Sequence, residues 1–344
     1  MNVDIMRHLA KKTFIALQNP YHTVVKVYPQ IIDKVKNDHF SYIGVKDRPE
    51  IPDSLVTTFE STKHYGLHTV DAFSLGGRAI DTRLRNPITG RPMTGSSSGT
   101  AINVLTGIND LGIGTDGGGS VLAPAMSLNL FGFISPSICK EHTSKFRKYS
   151  TDAHAFTPSI GFITREFDAL IRAIEVVIPV PTQNNQNNHF DLLEINGALE
   201  KNEHLTDSIS TTDKVDLNES RELLIPYLEE NLGKHDCIIS KEGPVDFQGL
   251  GDTVLGHMGP QAKEHQHKGN KGLIRVANMA GAAAVTIPTG EHATSYVLLC
   301  KDTPEDISRM LAFASDLANK QDPLLKNYFM NFSHYFSDGF KTAE

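Results

Sequence analysis

The chain has 344 residues, 39% hydrophobic and 21% charged, with a formal net charge of −7. That length can bury a sizeable core in one large or two modest domains, and the negative balance, with no sustained Lys/Arg block, argues against nucleic acid, whose phosphates need a basic face. Cys139, Cys237 and Cys300 are odd in number and far apart, which argues against a disulfide framework and a zinc site and fits reduced thiols in the cytoplasm.

Taken in chain order, the first forty residues read as helical. Ile5, Met6, Leu9, Phe14 and Leu17 share one helical face rather than forming a signal-peptide core, Asn19-Pro20 breaks the segment, and Val24 to Val35 continues with mixed spacing. SYIGVK (41–46) reads as a short strand stopped by Asp47-Arg48-Pro49. A loop rich in Gly, Pro, Ser and Thr follows, then TAINVLTGI as a helix, DLGIGTD as a buried strand, a GGGS turn, and SVLAPAMSLNL as the start of another helix. FDALIRAIEVVI (167–178) reads as a helix through Leu170, Ile174 and Val177. The polar stretch 181–220, opening with PTQNNQNNH, reads as a flexible surface connection. HDCIIS, AAAVTIP and YVLLC read as strands. TPEDISRMLAFASDLANK reads as a helix capped by Thr303, with Pro304 in its first turn and Asp306 reaching back. No apolar run is long enough to span a membrane.

Chemistry concentrates in Gly114–Ser120, GTDGGGS. A glycine run ending in a serine at a helix start could cradle a phosphate or hold a nucleophile beside backbone N–H donors. No Gly-Lys-Ser/Thr follows, so a P-loop fits poorly, and a dinucleotide fingerprint lacks its acidic ribose partner. A plain glycine turn is the simplest use of such a segment. Upstream lie Thr94-Gly95-Ser96-Ser97-Ser98-Gly99 and Val45-Lys46-Asp47.

Together these three segments resemble the amidase-signature family, with its VKD lysine, GGSSGG-type loop and GTDxGGS. Ser96 and Ser120 are 24 residues apart, the family's spacing. PSIGFITREFDALIRAIEVV and ANMAGAAAVTIPTG are also similar to family segments. The resemblance implies an α/β fold with a mixed central sheet flanked by helices, here shortened, in a single domain over 1–344. It implies hydrolysis of a small carboxamide, with Ser120 as nucleophile, Ser96 as proton relay and Lys46 as base. The N–H groups of Gly117, Gly118, Gly119 and Ser120 would form the oxyanion hole. It further implies a cis bond between Gly95 and Ser96, no metal or organic cofactor, and a homodimer, as family members often are. Lys46 must be neutral to act, so it should be buried, because desolvation is what lowers a lysine pKa. Asp47 should point away from it.

The chain also departs from the family. It is short, and Ser120-Val121-Leu122-Ala123-Pro124 lacks the arginine of Ser-Ile-Arg-x-Pro. Gly132 to Ser137 lacks the lysine of Gly-Leu-Lys-Pro, which points to a divergent branch of undetermined substrate. The amidase subunit of an amidotransferase acting with a partner, an ester or carbamate hydrolase, and a non-catalytic binding protein would carry the same motifs. His257, His265 and His267 lack a completing ligand set and read as a solvated loop.

Overall fold

A computed structural model of the chain describes residues 3–75, 81–181, 190–199, 208–252, 254–318, 322–332 and 334–335. The apolar runs do form strands, and they join one mixed sheet. In chain order come α1 (Val3–Gln18), β1 (Val24–Val27), β2 (Ser41–Lys46), α2 (Asp53–Ser61), β3 (Tyr65–Asp71), α3 (Ser98–Leu105), β4 (Leu111–Asp116), α4 (Leu122–Met126) and β5 (Phe131–Ser135). Next are α5 (Lys140–Thr143), β6 (Lys148–Tyr149), β7 (Ala155–Phe156), β8 (Ser159–Thr164), α6 (Phe167–Val177), β9 (Phe190–Ile195) and β10 (Ser208–Asp213). The chain continues with α7 (Arg221–Leu232), β11 (Cys237–Glu242), α8 (Pro260–His267), β12 (Ala282–Pro288), β13 (Ser295–Lys301), α9 (Pro304–Leu317) and α10 (Pro323–Asn327). The sheet has eleven strands in the order β1-β3-β2-β4-β8-β5-β12-β13-β11-β9-β10.

The central strands are buried on both faces, which is why they read as continuous apolar runs rather than alternating ones. In β13, Tyr296, Leu298 and Cys300 enter one core with Leu55 and Phe59 of α2, Leu170 and Ile174 of α6, and Ile307 and Met310 of α9. Val297 and Leu299 enter the other core, with Val104 of α3, Leu122 of α4 and Leu224 of α7. Thr303 caps α9 as expected, its hydroxyl accepting from the Asp306 N–H at 3.2 Å.

Three expectations are corrected. Val24 to Val35 is a strand and a 3₁₀ turn, not a helix, because its branched residues pair antiparallel with β3. The stretch 181–220 is not merely a connection. β9 and β10 lie within it, parallel and in register from Ser208↔Phe190 to Asp213↔Ile195. SISTTD is an edge strand with hardly any apolar alternation, so its sequence carries little strand signal. Most of PTQNNQNNH, residues 182–189, lies outside the described residues. His265 and His267 sit on α8, not in a loop.

At the end of β3, Asp71 is fully buried. Its Oδ1 accepts from Thr69 Oγ1 at 2.6 Å and Asn103 Nδ2 at 2.7 Å, and the Thr100 hydroxyl lies nearby. Burial pushes its carboxyl up to about 7. Such a group binds its proton more tightly folded than unfolded, so its stabilising protonation is lost as pH rises from about 4 through 7. Asp71→Asn, whose amide can donate to Thr100, should therefore raise the melting temperature at pH 8 and do little at pH 4. Melting curves at the two pH values check this, and an equal effect at both would contradict it.

Candidate active site

Two neighbouring parallel strands deliver the site. β2 and β4 pair with Ile43↔Leu111, Gly44↔Gly112 and Val45↔Ile113, so their C-terminal ends bring Lys46 beside Thr115 and Asp116. The Ser-rich loop ahead of α3 carries Ser96, and the glycine loop between β4 and α4 carries Ser120. The Gly95–Ser96 peptide is cis, as the resemblance implies. The two loops are stitched together by the Ser97 N–H donating to the Ser120 carbonyl at 3.0 Å.

Lys46 is 2% exposed. Its Nζ donates to Ser96 Oγ at 2.8 Å, Thr115 Oγ1 at 3.0 Å and the Thr115 carbonyl at 3.2 Å. Burial lowers its pKa to about 7, with Asp116 opposing the shift and Arg48 assisting it. Asp47 is exposed, and the carboxylates that act on Lys46 are Asp116 and, to a lesser degree, Glu50.

Asp116 organises the glycine loop from within. Its Oδ1 accepts from the Gly119 N–H at 2.7 Å, and its Oδ2 from the N–H groups of Val121 at 2.6 Å and Leu122 at 3.2 Å. Gly119 has φ +95°, a conformation other residues resist, which explains the glycine there. The Gly119 N–H, expected to serve an oxyanion, is thus directed at Asp116, whereas no such bond to Asp116 holds Gly117 or Gly118 among the described residues.

Ser120 is partly exposed and lines the same cavity as Ser96. Its hydroxyl forms no hydrogen bond within the described residues. The structure therefore makes the Lys46–Ser96 contact and leaves Ser96–Ser120 open. Catalytic contacts often tighten only with substrate bound.

The cavity encloses about 260 Å³ between the glycine loop and residues that sequence reading missed, among them Phe156, Arg221 and Lys271. Phe156 belongs to the short β6–β7 pair, and Arg221 starts α7 just past the polar stretch. Neither lies in a motif, so only the folded chain reveals them. A larger cavity of about 1150 Å³ lies beside α1 and α6, near Ser41 and Asp110 at the opposite ends of β2 and β4, and holds none of the site residues. Chemistry, not size, singles out the smaller one. Among the described residues no cluster of three or more His, Cys, Asp or Glu could hold a metal, and no helix is long and apolar enough to cross a membrane.

Residues 70–206 match the Amidase family, a range that includes Ser96 and Ser120 but not Lys46. Over 92 residues the chain is 34% identical to Amidase 1 of Oryza sativa subsp. japonica, a stretch covering 27% of this chain and only 20% of that protein. The native peptide amidase of Stenotrophomonas maltophilia superposes with a TM-score of 0.57 at 10% identity, over 92% of this chain and 95% of that one. A structure described as an unexpected vestigial protein complex, revealing the evolutionary origins of an s-triazine catabolic enzyme, gives 0.62 at 12% identity, over 92% and 96%. At such identities these likenesses are of fold.

Proposed function

We propose that the chain is an amidase-signature enzyme and that it hydrolyses a small carboxamide through an acyl-enzyme on Ser120. One observation carries the reading. A buried lysine with a pKa near 7 donates to Ser96 Oγ on the wall of the cavity that Ser120 lines. A surface lysine would be protonated and useless as a base at neutral pH, so this burial has a chemical consequence.

In the proposed reaction Ser120 Oγ attacks the amide carbonyl. Its proton passes to Ser96, and the Ser96 proton passes to neutral Lys46. The tetrahedral oxyanion accepts from the N–H groups of Gly117 and Gly118. When the C–N bond breaks, the proton on Lys46 returns through Ser96 to the departing ammonia or amine. Water then attacks the ester by the same route in reverse and releases the acid. No metal or organic cofactor is needed for any step.

Quenching a reaction with a small carboxamide and mapping the protein by mass spectrometry tests this. The acyl mass should appear on Ser120, and Ser120→Ala should lose both the adduct and ammonia release. Turnover surviving in Ser120→Ala would contradict the mechanism.

Gly118→Ala offers a second check on the loop. Its methyl would lie 2.8 Å from Nη2 of Arg221, so the loop or the arginine must move. We expect turnover to fall about tenfold or more, since misplacing oxyanion donors by fractions of an ångström is costly. Steady-state rates on one amide measure this, and an unchanged rate would argue against Gly118 as a donor.

A further inference from the structure

Arg221 is 5% exposed, yet it lines the cavity. Two sides of its guanidinium are engaged: Nη1 donates to Asp152 Oδ1 at 2.9 Å and Nε to the Arg275 carbonyl at 3.3 Å. Nη2 makes no hydrogen bond within the described residues, and it stands next to Gly118. A buried guanidinium with one edge unused beside the proposed oxyanion donors is a ready fork for an anionic acceptor.

The local charge favours such an acceptor. Arg275 adjoins Arg221 and is held by the carbonyls of Leu217, Glu219 and Gly272, with no ion-pair partner among the described residues. Asp152, Asp216 and Glu242 are the carboxylates near the two arginines, and of these Asp152 is ion-paired, with Arg221. Glu242 lies behind them, where it accepts the N–H groups of Gly272 and Leu273, and burial raises its pKa. At the cavity itself, Asp116 is already saturated by backbone donors, and Lys271 is paired with Asp246. The Nη2 edge of Arg221 is thus left at the cavity without an anionic partner among the described residues.

The geometry points to Arg221 as a carboxylate anchor: Nη2 holds the acid group of an ω-amide of a short dicarboxylic acid while its amide meets Ser120. This deepens the amidase reading and rests on it. A short spacer follows from the closeness of Nη2 to Gly118, and a small substrate from the cavity of about 260 Å³.

The test uses succinamate and its neutral counterpart butyramide. Binding is measured by calorimetry on Ser120→Ala protein, which cannot turn either over, and kcat/KM is measured on the wild type. We expect succinamate to bind at least about thirtyfold more tightly than butyramide, a charge-assisted hydrogen bond's effect. Adding Arg221→Gln should abolish that preference. Arg221→Lys, which keeps the charge without the fork, should retain part of it and serves if the glutamine variant misfolds. Equal binding of the two amides, or a preference that survives Arg221→Gln, would overturn the anchor. Arg221-dependent succinamate binding without hydrolysis of either amide would leave the anchor standing and refute the amidase reading. Equal binding and equal hydrolysis would do the reverse.

Discussion

Lys46→Met should slow acylation of Ser120 by about a thousandfold or more, the cost of removing a general base that acts through a relay. In the wild type the acylation rate should rise about tenfold per pH unit below 7 and level off above it, because only neutral Lys46 can accept the proton. Stability should move the opposite way to activity. A lysine whose folded pKa is depressed binds its proton less tightly folded than unfolded. Its cost is therefore fully present below about 7 and disappears as pH rises towards 10.5. That cost is on the order of 4 kcal/mol, reduced in practice because Ser96 and Thr115 would lose a donor. Lys46→Met should thus gain roughly 2 kcal/mol at pH 6 and progressively less at pH 9. Denaturant midpoints at the two pH values, beside single-turnover rates, measure both effects. A variant that loses activity and stability together would make Lys46 a structural residue.

Asp116→Asn should be the most damaging conservative change in the loop. Both carboxylate oxygens accept backbone N–H groups, from Gly119 on one side and from Val121 and Leu122 on the other. Asparagine keeps one acceptor and turns an NH₂ group towards N–H groups whichever way it flips. Losing buried charge-assisted bonds costs about 3 kcal/mol. We expect a clear drop in melting temperature and a loss of acylation, since Ser120 sits between the three anchored residues. Residual activity carries a finer signal. Asp116 raises the Lys46 pKa, so removing its charge should shift the acid limb of the pH–rate profile to lower pH. An unshifted limb would mean that Asp116 does not act on Lys46 electrostatically.

The strands β2, β4, β11, β12 and β13 and the three motif segments were legible because their signals are local. Burial on both faces leaves unbroken apolar runs, and glycines and serines mark the loops between β2, α3, β4 and α4. Three kinds of feature were not legible. β10 is a polar edge strand whose pairing with β9, not its composition, makes it a strand. The commitment of Gly119 to Asp116 depends on a positive φ that a run of three glycines does not assign to any one of them. Arg221 reaches the site from more than a hundred residues past Ser96, and no sequence spacing announces a contact made only by folding. The site's reactive side was thus written in motifs, while its substrate-facing wall was written in topology.

The measurement that bears most directly on the central claim is fluorophosphonate labelling of the purified protein, with the modified residue located by mass spectrometry. The account predicts stoichiometric labelling at Ser120, absent in Ser120→Ala, strongly slowed in Lys46→Met, and rising with pH through about 7 in the wild type. Folded protein that stays unlabelled from pH 6 to well above the Lys46 pKa, or that is labelled elsewhere, would contradict it.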